Sequence, residues 1–467
     1  MWCVRYGAKR LVLMSVILSA LTHYYSLQWL APLPTPELGL QVGCRDSKTE
    51  VSVMRDPCMV ERMRRLYANT SLACRRLCEG ETEAGELELR PGEAQMDETE
   101  ILLPGGSCPT EGREQCGVDC PGEVGRLISL SSHASSHTSS HASSQSPYSC
   151  WQYWLYVWVI TLASLSFGTG CTLQESLCHQ LLGEEADRRY GQHRLWASVG
   201  WGLSAAVSGY LVDMDSQHSL LYNYQWAFTI MLVCWTADIL VVSKLDIPEE
   251  KVTSSNPWAD VGSLLSSART LVFLSWCAMV GFVFGSMGLH FWLLEDLAGV
   301  SSCQVATNLK LLQGLCLTVN CLGETPVFFV SGRLIKWLGT TTGMVLVLVA
   351  HGVRLLYYSL IASPWQILPA ELLQGVTFGF FFPCLVSVSA ELSPPGAQTT
   401  MTALAWLTSD IGGSLGGWVS AAVYQVAGGS FTFWVYGWLS LTGAALTLLL
   451  QRRHSQPCVI TNKVSVC

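Results

Sequence analysis

About ten apolar runs of roughly 18 to 25 residues recur along this chain, and no other feature limits its fold so sharply, because a helix of about 20 such residues crosses about 30 Å of hydrocarbon. Helices in soluble cores are shorter and keep a polar face. Spans are predicted at about 11–29, 151–174, 196–212, 225–243, 270–293, 306–331, 342–361, 365–389, 400–424 and 431–450. Half of the 467 residues are hydrophobic and only 13% are charged, in keeping with an all-α, multi-pass membrane protein. The net charge of -8 points to no partner, since the acids are concentrated between Glu79 and Glu100. Trp151, Tyr153, Trp154, Tyr156 and Trp365 lie near the ends of apolar runs, where they suit a membrane interface. Ordinary aromatic packing is an equal alternative for any one of them.

Lys and Arg in short links remain cytoplasmic, so their distribution sets the orientation. Alternate links carry Arg188, Arg189 and Arg194, then Lys244, Lys251 and Arg269, then Arg333 and Lys336, and Arg452 and Arg453 follow the last span. The links between them, 213–224, 294–305 and 362–364, carry none. Ten spans then leave both termini cytoplasmic and place about 30–149 outside. The expected organisation is a first helix (1–30), a long extracellular loop (31–149, partly disordered), the rest of an N-terminal bundle (150–245), a cytoplasmic linker (246–268), a six-helix C-terminal bundle (269–452) and a tail (453–467). Because Arg5, Lys9 and Arg10 precede the first span, a cleaved signal peptide is its alternative reading.

The long loop holds Cys44, Cys58, Cys74, Cys78, Cys108, Cys116, Cys120 and Cys150. An even number of cysteines in a polar segment suggests disulfides on an oxidising side, with open connectivity. Cysteines in apolar runs, such as Cys171, Cys277 and Cys316, are read as small hydrophobic thiols. Asn69-Thr70-Ser71 is a glycosylation sequon in the same loop. His133, His137 and His141 recur every four residues; on a helix they would align as metal ligands, but their Ser-rich surroundings favour a disordered tract, and no metal is expected.

Ionisable groups inside a bilayer are costly and are retained for function by default. The candidates are Glu175, Asp238, Glu324, His351, Arg354, Glu371, Glu391 and Asp410. Glu371 and Asp410 are the most deeply placed acids; Glu175 and Glu391 fall near cytoplasmic span ends. His351 and Arg354 share a helix face, and an arginine at that depth calls for a carboxylate, either Glu324 beside Pro326 or Glu371. A carboxylate alternating between an arginine and a proton would couple transport to protons; the competing reading is a structural pair that fixes helix register. The run Asp410–Gly417 and the pair Gly281/Gly285 carry Gly-x-x-x-Gly spacings, which favour close helix contact. Nothing in the chain matches a phosphate loop, a His-Glu-x-x-His zinc site or a nucleophile elbow, so neither an enzyme nor a cofactor is expected.

Gly332-Arg333-Leu-Ile-Lys336-Trp-Leu-Gly339 resembles, in degenerate form, the basic loop motif of the major facilitator superfamily. With His290-Phe-Trp-Leu-Leu-Glu-Asp296, Gly323-Glu-Thr-Pro-Val-Phe-Phe-Val-Ser-Gly332, Val353-Arg-Leu-Leu-Tyr-Tyr-Ser359 and Tyr190-Gly191 before Arg194 and Trp196, the chain resembles the domain-containing 6 and 6-like proteins of that superfamily, a branch similar to lactose and nucleoside proton symporters. The resemblance implies two six-helix bundles and a long extracellular loop after the third helix. It aligns the first span with that third helix, so two of twelve helices are expected to be missing. It places Glu175 on or just after the fourth helix, Glu324 on the eighth, His351 and Arg354 on the ninth, Glu371 on the tenth and Asp410 on the eleventh. The implied function is secondary transport of a small solute, with protons as coupling ion and membrane lipid as surroundings, in the plasma membrane or another membrane of the secretory pathway. A cell-surface receptor whose long loop binds an extracellular ligand is the alternative. Nothing points to nucleic acid.

Overall fold

A computed structural model describes residues 8–27, 40–45, 48–54, 57–78, 85–96, 100–107, 112–121, 124–125, 151–182, 186–219, 222–245, 265, 267–300, 308–393 and 398–454. Among the described residues, eight helical segments are long and apolar enough to cross a membrane: Trp151–Cys171, Leu195–Ser216, Gln225–Lys244, Ala268–Ala298, Leu309–Leu338, Thr340–Tyr358, Pro364–Leu392 and Gly429–Leu449. Two further helices sit at expected spans. In α1 (Ala8–Ser26) the apolar stretch Val12–Ser26 is shorter, and Gln398–Ala427 is long but rich in Gly, Ser and Thr. The protein is thus a mainly helical, multi-pass membrane protein.

The long loop contains a sheet that the sequence analysis does not anticipate. Its strands are β1 (Leu40–Arg45), β2 (Lys48–Met54), β3 (Leu72–Cys78), β4 (Gly85–Leu89), β5 (Gln95–Met96), β6 (Glu100–Ser107) and β7 (Gly112–Asp119), with α2 (Pro57–Leu66) between β2 and β3. The order is β2-β1-β7-β3-β4-β6-β5, all pairs are antiparallel, and β6 also pairs with β2, so six strands close on themselves. In β4 Glu86 and Glu88 alternate with Leu87 and Leu89, and only the leucines are buried, as a pleated strand requires. They meet Val51, Leu103 and Val124, together with Val60 and Met63 from the inner face of α2. A disulfide joins Cys74 to Cys120 across a sequence separation of 46. Cys74 is itself part of this core.

Two compact units make up the chain. The first is Met1–Ala186 with Val207–Glu249 and Ala298–Leu311; the second is Asp187–Ala206 with Glu250–Leu297 and Leu312–Cys467. In the first, α1 lies against α3 (Trp151–Leu182) and α5 (Gln225–Lys244), burying Leu13 and Ile17 with Leu177 and Val242. Ser19 and Ser166 share a hydrogen bond of 3.0 Å across that contact.

The second unit holds α6 (Ala268–Phe284), a 3-10 turn (Gly285–Leu289), α7 (His290–Val300) up to Leu297, α8 (Leu309–Leu338) from Leu312 onward and α9 (Thr340–Tyr358), the stretch Ala298–Leu311 belonging to the first. The next segment is irregular: a 3-10 turn at Pro364–Ile367, the short α10 (Leu368–Glu371), a π turn at Gly375–Gly379, and α11 (Phe380–Leu392). The long helices α12 (Gln398–Ala427) and α13 (Gly429–His454) follow. Small residues let α6 and α12 touch backbone to backbone. A Cβ on Gly281 would lie 1.9 Å from the Ser409 carbonyl oxygen, and one on Gly416 would lie 1.8 Å from that of Phe282. This contact uses both Gly-x-x-x-Gly stretches noted in the sequence. On the other flank α9 packs against α13, where Ser440 donates to the Leu348 carbonyl at 2.8 Å. A turn through Gly339, at φ +78°, connects α8 to α9, a conformation that glycine adopts without steric cost.

Candidate functional site

Arg354, on the inner face of α9, is fully buried, and so is Glu371 at the end of α10. Their side chains form an ion pair. Every guanidinium N–H has an acceptor. Nε donates to the Tyr358 hydroxyl at 2.6 Å. One terminal nitrogen donates to the Gln374 side-chain oxygen and to Thr377 Oγ1 at 3.4 Å. The other donates to Glu371 and to Asn320 Oδ1 at 3.1 Å. Tyr358 in turn donates its proton to the second carboxylate oxygen of Glu371, so the acid holds both the cation and the phenol. A charge taken out of water is tolerated only when paired and fully hydrogen-bonded. The five acceptors meet that condition.

Local backbone shape delivers these groups. Tyr358 lies four residues after Arg354, one helical turn along the same face. Around Glu371 the helix is broken: turns at Leu372 and Leu373 and the π turn beyond bring Glu371, Gln374 and Thr377 to one cation. Pro369, Gly375 and Gly379 belong to this break, and π turns concentrate at functional positions. The break fits against α8 because Gly323 and Gly375 lack side chains. A Cβ on Gly375 would lie 2.1 Å from the Gly323 carbonyl oxygen.

Of the two acids expected to serve Arg354, the structure selects Glu371. Glu324 is half-buried on α8, beside the break, and is not among the groups that Arg354 touches. His351 is buried one turn before Arg354, against the Phe284 ring at 4.5 Å between centroids, and does not join the network. Asp410 is exposed on α12 and stands outside the Arg354 network. Depth along a helix does not fix the direction around it, and here Ser409, Gly412 and Gly416 take the side facing α6. Glu175 lies on α3, and its side chain is outside the described residues. In the basic motif Gly332, Arg333 and Lys336 close α8 and Gly339 makes the turn. Asn69 is exposed in the turn after α2. His133, His137 and His141 lie outside the described residues.

Sequence reasoning missed Tyr358, Asn320, Gln374 and Thr377, which are neutral and so escape a search for charge. It also passed over His290, buried on α7 with its ring 6.2 Å from that of Tyr358. The His290 Nδ1 bonds the Met287 carbonyl, which only accepts, so the proton sits on Nδ1 and the unpartnered Nε2 is left as an acceptor. In the first unit Asp238 accepts from Gln174 at 2.7 Å. There too Asp213, at the end of α4 (Ala186–Ser216), accepts the Lys310 and Leu311 amides at 3.2 and 2.7 Å, capping the first turn of α8.

Among the described residues, eight helices long and apolar enough to cross a membrane, one of them broken around a buried arginine–carboxylate pair, fit a membrane transporter scaffold. The chain belongs to the MFS_1 like family, whose model matches residues 5–435. It is similar to major facilitator superfamily domain-containing protein 6-like protein A of Xenopus laevis, at 23% identity over 300 residues, 60% of this chain and 46% of that protein. Protein B of the same species is 24% identical over 277 residues, 57% of this chain and 42% of that protein. The chain therefore spans less than half the length of these two relatives. Maltose permease of Geobacillus stearothermophilus is 23% identical over 314 residues, covering 65% of this chain and 73% of the permease. Among solved structures, a mutant of the nucleoside transporter NupG is similar with a TM-score of 0.54 at 14% identity, covering 65% of this chain and 77% of that one. That likeness is one of fold.

Proposed function

We propose that the protein is a secondary transporter that moves a small, hydroxyl-rich solute by alternating access and that Glu371 couples this movement to protons. The observation that carries the proposal is the fully buried pair of Glu371 and Arg354. A carboxylate in such a place can be neutral or charged, but not indifferently: with a proton on Glu371, Arg354 loses its counter-charge and must find other acceptors. Solute hydroxyls arriving beside Asn320, Gln374 and Thr377 would supply them, which links solute binding to the proton. The names of two similar proteins, a maltose permease and a nucleoside transporter, favour the same class of solute. In this reading both termini are cytoplasmic and the β-containing loop, with Asn69, is outside, an orientation that the basic links support, and the membrane is the plasma membrane or another of the secretory pathway.

The test is uptake of radiolabelled disaccharides, nucleosides and small organic acids by proteoliposomes holding the full chain, under an inward proton gradient. Uptake of one class that collapses with a protonophore supports the proposal. Uptake indifferent to the protonophore would remove the proton from it, and no uptake of any probe would remove transport.

A further inference from the structure

At the end of the second unit where α6 and α9 begin and α11 finishes, a cavity of about 400 Å³ opens among α6, α9, α11 and α13. Its volume lies in the range of small-molecule sites, about 300–1,000 Å³. It shares no residue with the Arg354 network, although Met344 stands on the same helix as Arg354, about 15 Å before it. By its basic links this is the cytoplasmic end of the bundle.

Three observations characterise an occupant. First, Phe273, Trp276 and Met344 are buried and line the well, which is therefore apolar and aromatic. Trp276 is only 5% exposed, yet its indole N–H has no partner. A buried indole donor is normally bonded, so the well asks for one acceptor. Second, α9 starts at a glycine cap that offers no side chain, and Ser267 before α6 makes no side-chain cap bond either. The mouth thus has two helix N-termini with uncapped amides, together with the hydroxyl-bearing Thr340 and Thr341. Third, Arg269 lines the cavity, is exposed, and makes no ion pair or hydrogen bond among the described residues. Glu391 is the one anion among the lining residues and opposes a multiply charged head. We propose that this cavity binds a monoanionic amphiphile, its carboxylate or phosphodiester at Arg269 and the α9 N-terminus, its apolar body in the well, and one further acceptor at the Trp276 indole.

The spacing makes the proposal selective. Trp276 follows Arg269 by seven residues, about 10 Å along α6, so the acceptor should lie about that far from the anionic head. In an extended acyl chain this is a hydroxyl near the ninth or tenth carbon. Full chain in phosphatidylcholine nanodiscs should bind radiolabelled 10-hydroxystearate saturably and more tightly than stearate. Arg269→Gln should weaken both about tenfold, as loss of a charge-assisted contact does. Trp276→Phe should abolish the difference between the two acids while leaving stearate unchanged, a result that general loosening of the fold would not give. Met344→Trp, which fills the well, should remove binding while the thermal unfolding profile stays cooperative. Phosphatidylglycerol placed in the nanodisc separates the sources: displacement of the probe supports the site and makes a leaflet lipid the occupant, whereas retained binding supports it with a free carboxylate. Absence of saturable binding, insensitivity to Arg269→Gln, or equal competition by dodecyltrimethylammonium would overturn the proposal.

Discussion

Removing the carboxylate alone from the Arg354 network should destabilise the protein more than removing both charges together. Glu371→Leu deletes one acceptor of the guanidinium and the acceptor of the Tyr358 proton, and leaves a cation with no exposure. Breaking one side of a buried pair costs about 3–5 kcal/mol. Glu371→Gln keeps an amide oxygen for one of the two donors but adds an NH2 that needs its own partner, so its cost falls to about 1–3 kcal/mol. The double variant Arg354→Met with Glu371→Leu removes both desolvated charges. Its remaining cost is that of the orphaned Asn320 and Tyr358, because Gln374 and Thr377 already face each other at 3.4 Å. The double variant should therefore recover about 2 kcal/mol over Glu371→Leu, since no unpaired charge is left buried. Thermal unfolding followed by fluorescence-detected size exclusion in one detergent would read the order wild type, then Glu371→Gln and the double variant, then Glu371→Leu. The last should melt lower by about 6–20 °C, at roughly 2–4 °C per kcal/mol. If Glu371→Leu melts with the wild type, or if the double variant melts no higher than Glu371→Leu, the buried pair does not exist as described.

Other consequences are simpler to check. Gly416→Ala places a methyl against the Phe282 carbonyl and should lower the melting temperature by the equivalent of about 1–3 kcal/mol, whereas Gly200→Ala, which meets open space, should not. Cys74→Ser removes the disulfide to Cys120 and should cost the β-containing segment about 2–5 kcal/mol, read as faster limited proteolysis within 57–119 with the helices intact. Asn69 should carry a glycan that disappears in Asn69→Gln, while a C-terminal tag stays inaccessible from outside until cells are permeabilised; an exposed tag would reverse the orientation.

Much of the helical architecture was legible because burying backbone in lipid leaves little choice: apolar runs of spanning length must be helices. Most expected spans lie within a few residues of the observed ones, although α3 and α8 run on past their predicted ends into polar sequence. Arg354 and Glu371 could be read for the same reason, since a buried charge demands a partner. The partner itself was ambiguous between Glu324 and Glu371, because the choice depends on the break after Glu371, and isolated Pro and Gly residues do not say where a helix unwinds. The neutral members of the network carry no signal until Arg354 is placed beside them. The closed sheet was hidden by its short strands and by cysteines and acids that read as loop; Glu86-Leu87-Glu88-Leu89 alternates as a strand should, but over only four residues. Asp410 shows a further limit. Sequence gives depth along a helix, whereas the facing depends on which side the glycines claim.

The measurement closest to the central claim compares two modes of transport in proteoliposomes of wild type and Glu371→Gln. Counterflow, in which labelled solute exchanges for unlabelled solute without a proton gradient, needs the carboxyl only in its neutral form, which the amide mimics. Gradient-driven uptake needs the proton to come and go. Glu371→Gln should therefore retain counterflow at a rate within a few-fold of wild type and lose gradient-driven accumulation. Accumulation that persists unchanged in Glu371→Gln would contradict the assignment of Glu371 as the coupling group.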